Sequence, residues 1–341
     1  MTTIRDVARA CGVSVATVSA VLNNTPKITG PETRKRVLAK IREMNYSTNA
    51  VARGLSRRRM NTVGLVMEYY GSTSLLADQH LGPIVDGVLA QCSHVGQRTL
   101  VYTATWYDAI SAIPSLTDGF CDGLILVVPI VADEFFERMG ERRVPFVIIG
   151  DNRTDSELTV VDVDNVDAGR QITRYLIGLG HRRIAMLRGE EVHRSSGLRA
   201  QGYREALEEG GYGYDPTLDW QSGYYYEAGY ESAARLFEFP PEARPTALFC
   251  GDDRIALGAI DRLKEQGVRV PEDVSVVGIN DSIEGAAREK PLTTLQQPGR
   301  QIGGSAVDLL LARVKGEAET GSKVLLPGKL IVRATSGPPP Q

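Results

Sequence analysis

Six polar side chains, Tyr69, Asp151, Arg188, Tyr224, Asp252 and Asn280, stand near the start of loops expected beyond the carboxyl ends of strands. Strand-end loops are where doubly wound sheets hold their ligands. All six can hydrogen-bond and two are aromatic, a combination that suits a sugar, a nucleobase or another polar metabolite. Catalysis is less well supplied. No Gly-rich phosphate loop follows a strand, GLGHRR lies at a helix end, and no nucleophile is paired with a base. The four cysteines, Cys11, Cys92, Cys121 and Cys250, lack metal-type spacing and read as reduced thiols in apolar positions. No metal and no cofactor are expected.

A second chemistry is concentrated at the start of the chain. Residues 1–60 carry twelve Lys and Arg against three Asp and Glu, a balance of +9 within a chain of net charge -3. A basic head on an acidic body points to a polyanion partner for the head. The segment Asp6–Asn23, DVARACGVSVATVSAVLN, has the steric pattern of a helix-turn-helix. Ala8 is small where a second helix crosses, and Gly12 sits at the turn, where φ must be positive. Val7, Val13, Val18 and Val21 fill the space between the helices. Ser14, Thr17 and Ser19 can reach phosphates from a helix N-terminus.

The elements that carry these residues follow from periodicity. Ile4, Val7, Ala8 and Cys11 form one apolar stripe; Val18, Val21 and Leu22 form a second, with Ser14 as its cap. Val37, Leu38, Ile41 and Met44 form a third, in a helix opened by Pro31 and Glu32. From Thr62 onward apolar runs (TVGLVM, RTLVYT, GLILVV, PFVIIG, RIAMLR, TALFC, VSVVGI) alternate with helical stretches over 84–95, 133–142, 168–178, 197–208 and 255–266. That is the pattern of parallel sheets buried on both faces, and the number of elements calls for two lobes.

In order along the chain, TIRDVARACGVSVATVSAVLN, ITGPETRKRVLAKIREMNYSTNAVARGLSRRR, VPFVIIGDN, LGHRRIAML, GYREALEE, RPTALFCGDD, VPEDVSVVGIND and PLTTLQQP resemble the lac repressor family (LacI/GalR) over nearly the whole length. The resemblance implies an all-α helix-turn-helix head on a two-lobed, periplasmic-binding-protein-like α/β sensor with doubly wound parallel sheets. The head would span 1–47, a hinge helix and linker 48–60, and the sensor 61–337. Its N-lobe would take about 61–159 and 296–323 and its C-lobe about 160–295 and 324–337, leaving 338–341 as a tail.

By the same resemblance Val15, Ala16 and Ala20 face base edges in the major groove. Apolar residues at all three positions make readout rest on thymine methyls and DNA shape rather than bidentate hydrogen bonds. Thr3, Ser14, Thr17, Ser19, Asn23 and Thr29 would be backbone or edge contacts. In the hinge, which Asn49 opens, Leu55 would be a minor-groove wedge, with Ala52 beside it and Arg53 and Arg57 near the phosphates. Arg199 matches an effector-gripping arginine, Arg194 stands near it at a spacing that differs by one, and Tyr224 matches a stacking aromatic. Asp252 and Asn280 fall at polar contacts. Asp151 follows the fourth strand, with Gly150 where the motif's first polar residue stands.

The implied function is a DNA-binding repressor of transcription, controlled by a sugar-like effector that either releases or promotes operator binding. Its partners would be double-stranded operator DNA, the effector and a second copy of the chain. A solute-binding receptor would share the sensor, but MTTIRDVARACGV lacks the apolar core of a signal peptide. A cytoplasmic protein without a membrane span is expected. The tail, VRATSGPPPQ, lacks the apolar heptads that join dimers into tetramers. A dimer is therefore expected, with the helix over 302–311 among its contributors.

Overall fold

The computed structural model describes residues 2–22, 30–46, 59–68, 78–103, 106–152 and 157–340. The chain divides after Met60 into a small helical unit and a larger α/β unit. In the first, α1 (Ile4–Cys11) opens with a capping box: Thr3 Oγ1 accepts from the Asp6 N–H, and Asp6 Oδ2 accepts from the Thr3 N–H at 3.0 Å. Gly12 ends it at φ 62°, the left-handed turn expected there. Ser14 Oγ accepts from the Thr17 N–H at 3.1 Å and caps α2 (Val15–Leu22). Pro31 starts α3 (Pro31–Glu43), where its missing N–H costs nothing. Val7, Ala8, Cys11, Val18, Val21 and Val37 close the core of this unit.

The larger unit begins with β1 (Thr62–Met67), α4 (Leu81–His94), β2 (Arg98–Thr103), α5 (Ala109–Leu116), β3 (Gly123–Val127), α6 (Asp133–Glu141), β4 (Phe146–Ile149) and β5 (Val160–Val163). It crosses to a second lobe through α7 (Asn165–Gly178), β6 (Ile184–Arg188), α8 (Arg194–Glu209), β7 (Asp219–Gln221) and α9 (Tyr226–Ala233). That lobe continues with β8 (Ala247–Cys250), α10 (Asp253–Glu265), β9 (Ser275–Ile279), α11 (Ile283–Ala286) and β10 (Thr293–Gln296). The chain then returns for α12 (Gly299–Lys315) and β11 (Lys323–Leu326), and crosses a last time to β12 (Lys329–Ile331). Strand order is β11-β5-β4-β3-β1-β2 in one sheet and β12-β10-β9-β8-β6-β7 in the other. Every pairing among these is parallel except β10 with β12.

Several details depart from expectation. Val160–Val163 pairs with β4 and with β11, so both strands belong to the first lobe, and the crossovers follow Val163, Gln296 and Leu326. The helices expected from 168 and 197 begin at Asn165 and Arg194, because their polar first turns carry no apolar stripe. RTLVYT is not a strand covered on both faces. It is the edge strand β2, with Leu100 and Val101 exposed. The helix over 302–311 does not offer its apolar side to a partner, since Ile302, Ala306, Val307 and Leu310 are buried in the first lobe's core.

Three helix pairs, α4 with α12, α7 with α8 and α9 with α10, touch backbone to backbone. Each is made possible by facing glycines: Gly87 with Gly303, Gly169 with Gly202, and Gly229 with Gly258. A Cβ at any of the six would stand between 1.9 and 2.2 Å from a carbonyl oxygen of the partner helix.

Candidate functional site

In the small unit the start of α2 is the exposed element. Val15 is 40% exposed and Ala16 is exposed beside it. Ala20 is buried at 7%, contrary to the expectation that it faces base edges; a side chain that stops at Cβ does not clear its neighbours. Ser14 and Thr3 are exposed, but their hydroxyls serve as helix caps, and Thr17 and Ser19 are half-buried. Asn23, Thr29, Asn49, Ala52, Arg53, Leu55, Arg57 and Tyr69 lie outside the described residues.

In the larger unit the carboxyl ends of both sheets line a cleft between the lobes. Its main cavity has a volume of about 510 Å³, and Arg199, Tyr224, Asp252 and Asn280 all reach it. Arg199, on the first turns of α8, is only 4% exposed. Its Nε donates to Asn165 Oδ1 at 2.8 Å and its Nη1 to the Gly251 carbonyl at 2.7 Å. This fixes the plane of the guanidinium at the cavity wall. The Tyr224 ring lies so close over Gly189 that a Cβ there would be 1.9 Å from Cζ. Its hydroxyl is 3.3 Å from Ser195 Oγ, and its ring meets His193 edge-on at 5.3 Å.

Asp252 Oδ1 accepts from the Arg254 N–H at 2.7 Å, and its Oδ2 from Asn280 Nδ2 at 2.7 Å. Asn280 Oδ1 in turn accepts from Gln297 Nε2, which also lies 3.4 Å from His80 Nδ1. A chain of polar groups thus runs from α4's leading residue, through the second crossover, into the second lobe. Arg194 and Asp151 stand apart from these four. They form an ion pair of 3.0 Å between the lobes and line a neighbouring cavity of about 500 Å³. Arg188 is drawn away to Asp219, 2.6 Å distant.

Sequence reasoning missed Trp106, His80, Asp162, Asn165, Arg254 and Gln297, which also line the main cavity. Asp162 and Asn165 sit in VDVDN, where a polar residue inside a buried strand was a usable signal. Trp106 stands just beyond the run RTLVYT, where the strand-end rule could have found it, while His80 lies outside the named runs and nothing local marks it.

Burial sets the charges in this region. It pushes the Asp162 carboxyl up to about 7, against which the Val163 N–H, donating at 2.8 Å, works only partly. Burial likewise raises Asp253 to about 7 despite donors in Thr294 and Ser282. Burial, with the positive charge of Arg199 as the next cause, lowers His80 to about 4, so its ring is neutral. The two acids keep protons that an unfolded chain releases near pH 4, so their contribution to stability falls as pH rises from about 4 to about 7. His80 acts in the opposite sense between about 4 and 6.5 and offsets one of them. Asp162→Asn is therefore expected to flatten the fall in unfolding midpoint between about pH 5 and about pH 8. An unchanged slope by circular dichroism would mean that Asp162 titrates normally.

Comparison with known proteins adds to this geometry. Residues 3–49 match the family model described as bacterial regulatory proteins, lacI family, and residues 173–336 match a periplasmic binding protein-like domain. The chain is 34% identical to the HTH-type transcriptional regulator CelR of Thermobifida fusca, over 97% of each chain. It is also 34% identical to the HTH-type transcriptional repressor PurR of Vibrio atlanticus, over 92% of each. Among solved structures, the lac repressor dimer bound to operator and an anti-inducer superposes with a TM-score of 0.84, at 28% identity over 98% of this chain and 99% of that one. A complex of CelR with cellobiose gives 0.74, at 32% identity over 98% and 100%.

Proposed function

Because the chain belongs to the lacI family of bacterial regulatory proteins, we propose that its head binds operator DNA as part of a homodimer and that the interlobe cleft takes a sugar that sets operator affinity. The chain is a DNA-binding regulator of transcription under the control of a small molecule. The observation that carries the effector reading is Arg199, a buried guanidinium held in one plane at the wall of a cavity of about 510 Å³. With Tyr224, Asp252 and Asn280 around it, the cavity offers donors, acceptors and a ring face, which is what a polyhydroxylated ligand uses. Sugar hydroxyls both donate and accept, so they suit a wall of mixed carboxylates, amides and arginine.

At the DNA, the exposed pair Val15 and Ala16 would meet thymine methyls. The hinge opened by Asn49 would enter the minor groove with Leu55 and Ala52, Arg53 would lie near the phosphates, and Thr3, Ser14, Thr17, Ser19, Asn23 and Thr29 would make backbone or edge contacts. Ala20 is left out of this readout. The exposed Leu100 and Val101 on β2 support a dimer through the first lobe, since an edge strand with apolar residues in water is an association surface. Among the described residues no helix is long and apolar enough to cross a membrane, and the regulator would act in the cytoplasm, where the operator is.

The ligand acts by binding one arrangement of the lobes better than another, which shifts the balance between them. Fluorescence anisotropy of a labelled operator, with and without candidate sugars, tests the reading. Operator affinity should fall steeply with salt, as phosphate contacts require, and change at least tenfold with the right sugar. Salt-insensitive binding would remove the DNA half. A response only to nucleobases would remove the sugar half.

A further inference from the structure

The cleft between the lobes is two adjoining cavities of nearly equal size, about 510 and 500 Å³. They share Val128, Ile130, Gly150 and His193 as walls. Each lies within the usual range of ligand pockets, about 300–1,000 Å³, and neither is filled by a single hexose ring. Their chemistry differs. The inner cavity holds the buried groups Arg199, Asp162 and Asp252. The outer one is walled by the apolar run from Val128 to Ala132 on one lobe and by Glu191 to Arg194 on the other.

Three observations make the outer cavity a built site. First, Asp151, with a side chain only 7% exposed, anchors the Nε of Arg194, whose side chain is half exposed. The guanidinium is thus fixed at one end while much of it faces the cavity. Second, the first turn of α8 opens there. Its N-cap, His193, makes no side-chain capping bond, and of the first-turn N–H groups that of Ser196 donates to the His193 carbonyl at 2.9 Å. Third, Val128 stands on the partition between the cavities at φ 45°, an outlying conformation for a β-branched residue. Its N–H donates to the Ile149 carbonyl at 2.7 Å, and a Cβ on Gly150 would strike Val128 Cγ2 at 2.8 Å. Strain held in place by its surroundings marks positions that serve a site.

Resting on the reading of the effector as a sugar, we infer that the cleft has two subsites and that the effector is a chain of at least two sugar rings, one at Arg199 and the next at Arg194. Val128 and His193 then stand beside the linkage, and the outer ring's hydroxyls accept from Arg194 and from the first turn of α8. The Arg194 guanidinium both ties the lobes and recognises the second ring, so filling the outer subsite consolidates the closed cleft.

Isothermal titration of the full-length protein tests this with glucose, galactose, mannose and fructose against cellobiose, maltose, lactose, melibiose, trehalose and sucrose. At least one disaccharide should bind tenfold or more tightly than either of its component sugars. Arg194→Gln, which keeps a donor for Asp151, should weaken that disaccharide about tenfold and leave its monosaccharides unchanged. Arg194→Ala should do the same, with the melting temperature of each variant as the check on folding. A monosaccharide that binds as tightly as every disaccharide containing it overturns the second subsite but not the sugar reading. So does an equal loss for both ligand sizes, which would make Arg194 only a tie between lobes. If no saccharide binds while adenine or hypoxanthine does, the sugar reading falls and this inference falls with it.

Discussion

Arg199→Ala is expected to bind operator as the parent does when no effector is present and to lose the response to effector. The guanidinium is buried, and it has two anchoring bonds, to Asn165 and to the Gly251 carbonyl. Removing a charged hydrogen-bonding group from such a place costs about 1.5–3 kcal/mol of binding, or roughly ten- to a hundredfold in affinity. Arg199→Lys should recover little, because a point charge cannot serve Asn165, Gly251 and a ligand in one plane. Because Arg199 also joins α7 to the loop after β8, both variants should melt earlier, and the response must be read well below their midpoints. Anisotropy titrations in which either variant responds like the parent would move the binding group elsewhere on the wall, to Tyr224 and Asp252.

Gly202→Val is expected to have the largest effect on stability. A Cβ at Gly202 would lie 1.9 Å from the Val166 carbonyl oxygen and 2.8 Å from the Arg170 nitrogen. Those are backbone atoms of α7, so no side chain can swing aside, and the two helices must separate. Overpacking typically costs 1–3 kcal/mol where neighbours can adjust, and about 3 kcal/mol or more is expected here, a fall in midpoint on the order of 10 °C. A methyl added at Gly197, on the same helix, would meet nothing within 4 Å. Gly197→Ala should leave the midpoint unchanged or raise it, since alanine favours a helix by up to about 1 kcal/mol over glycine. Equal losses from both substitutions would show that helix α8 resists change anywhere along it.

What the sequence made legible follows from how local each signal is. The head was readable because its code is local: a small residue, a glycine with positive φ and a serine cap lie within Ala8–Ser14. Tyr224, Asp252 and Asn280 were found because loops beyond the carboxyl ends of strands can be placed from the sequence, whereas Arg199, inside a helix, was found only by the resemblance to the lac repressor family. The lobe boundaries were not readable to the residue. Val160–Val163 belongs to the first sheet through its pairing with Phe146–Ile149, and Lys323–Leu326 joins that sheet only through Val160–Val163, far away in sequence; neither pairing is written in the residues of the strand itself. His80 reaches the cavity by tertiary placement alone, whereas Trp106 follows the end of Arg98–Thr103 and was overlooked. The burial of Ala20 depended on how neighbouring side chains close over a methyl, which spacing does not encode.

The three crossovers have a consequence for how the protein comes into being on the ribosome. The first lobe's core needs Ile302, Ala306, Val307 and Leu310 from α12, and its sheet needs β11 at one edge. Both are synthesised only after the second lobe's β6 to β10. The second lobe in turn waits for β12 and for Thr335, whose hydroxyl accepts from the Thr293 N–H and donates to the Val276 carbonyl. Neither half can be finished before its neighbour has almost emerged. A nascent chain stopped near Gln297 would therefore display two unfinished cores, with strand edges and apolar faces open at once. Contacts so distant in sequence slow folding and expose intermediates to aggregation. The arrangement that lets the two lobes share one cleft obliges them to fold together.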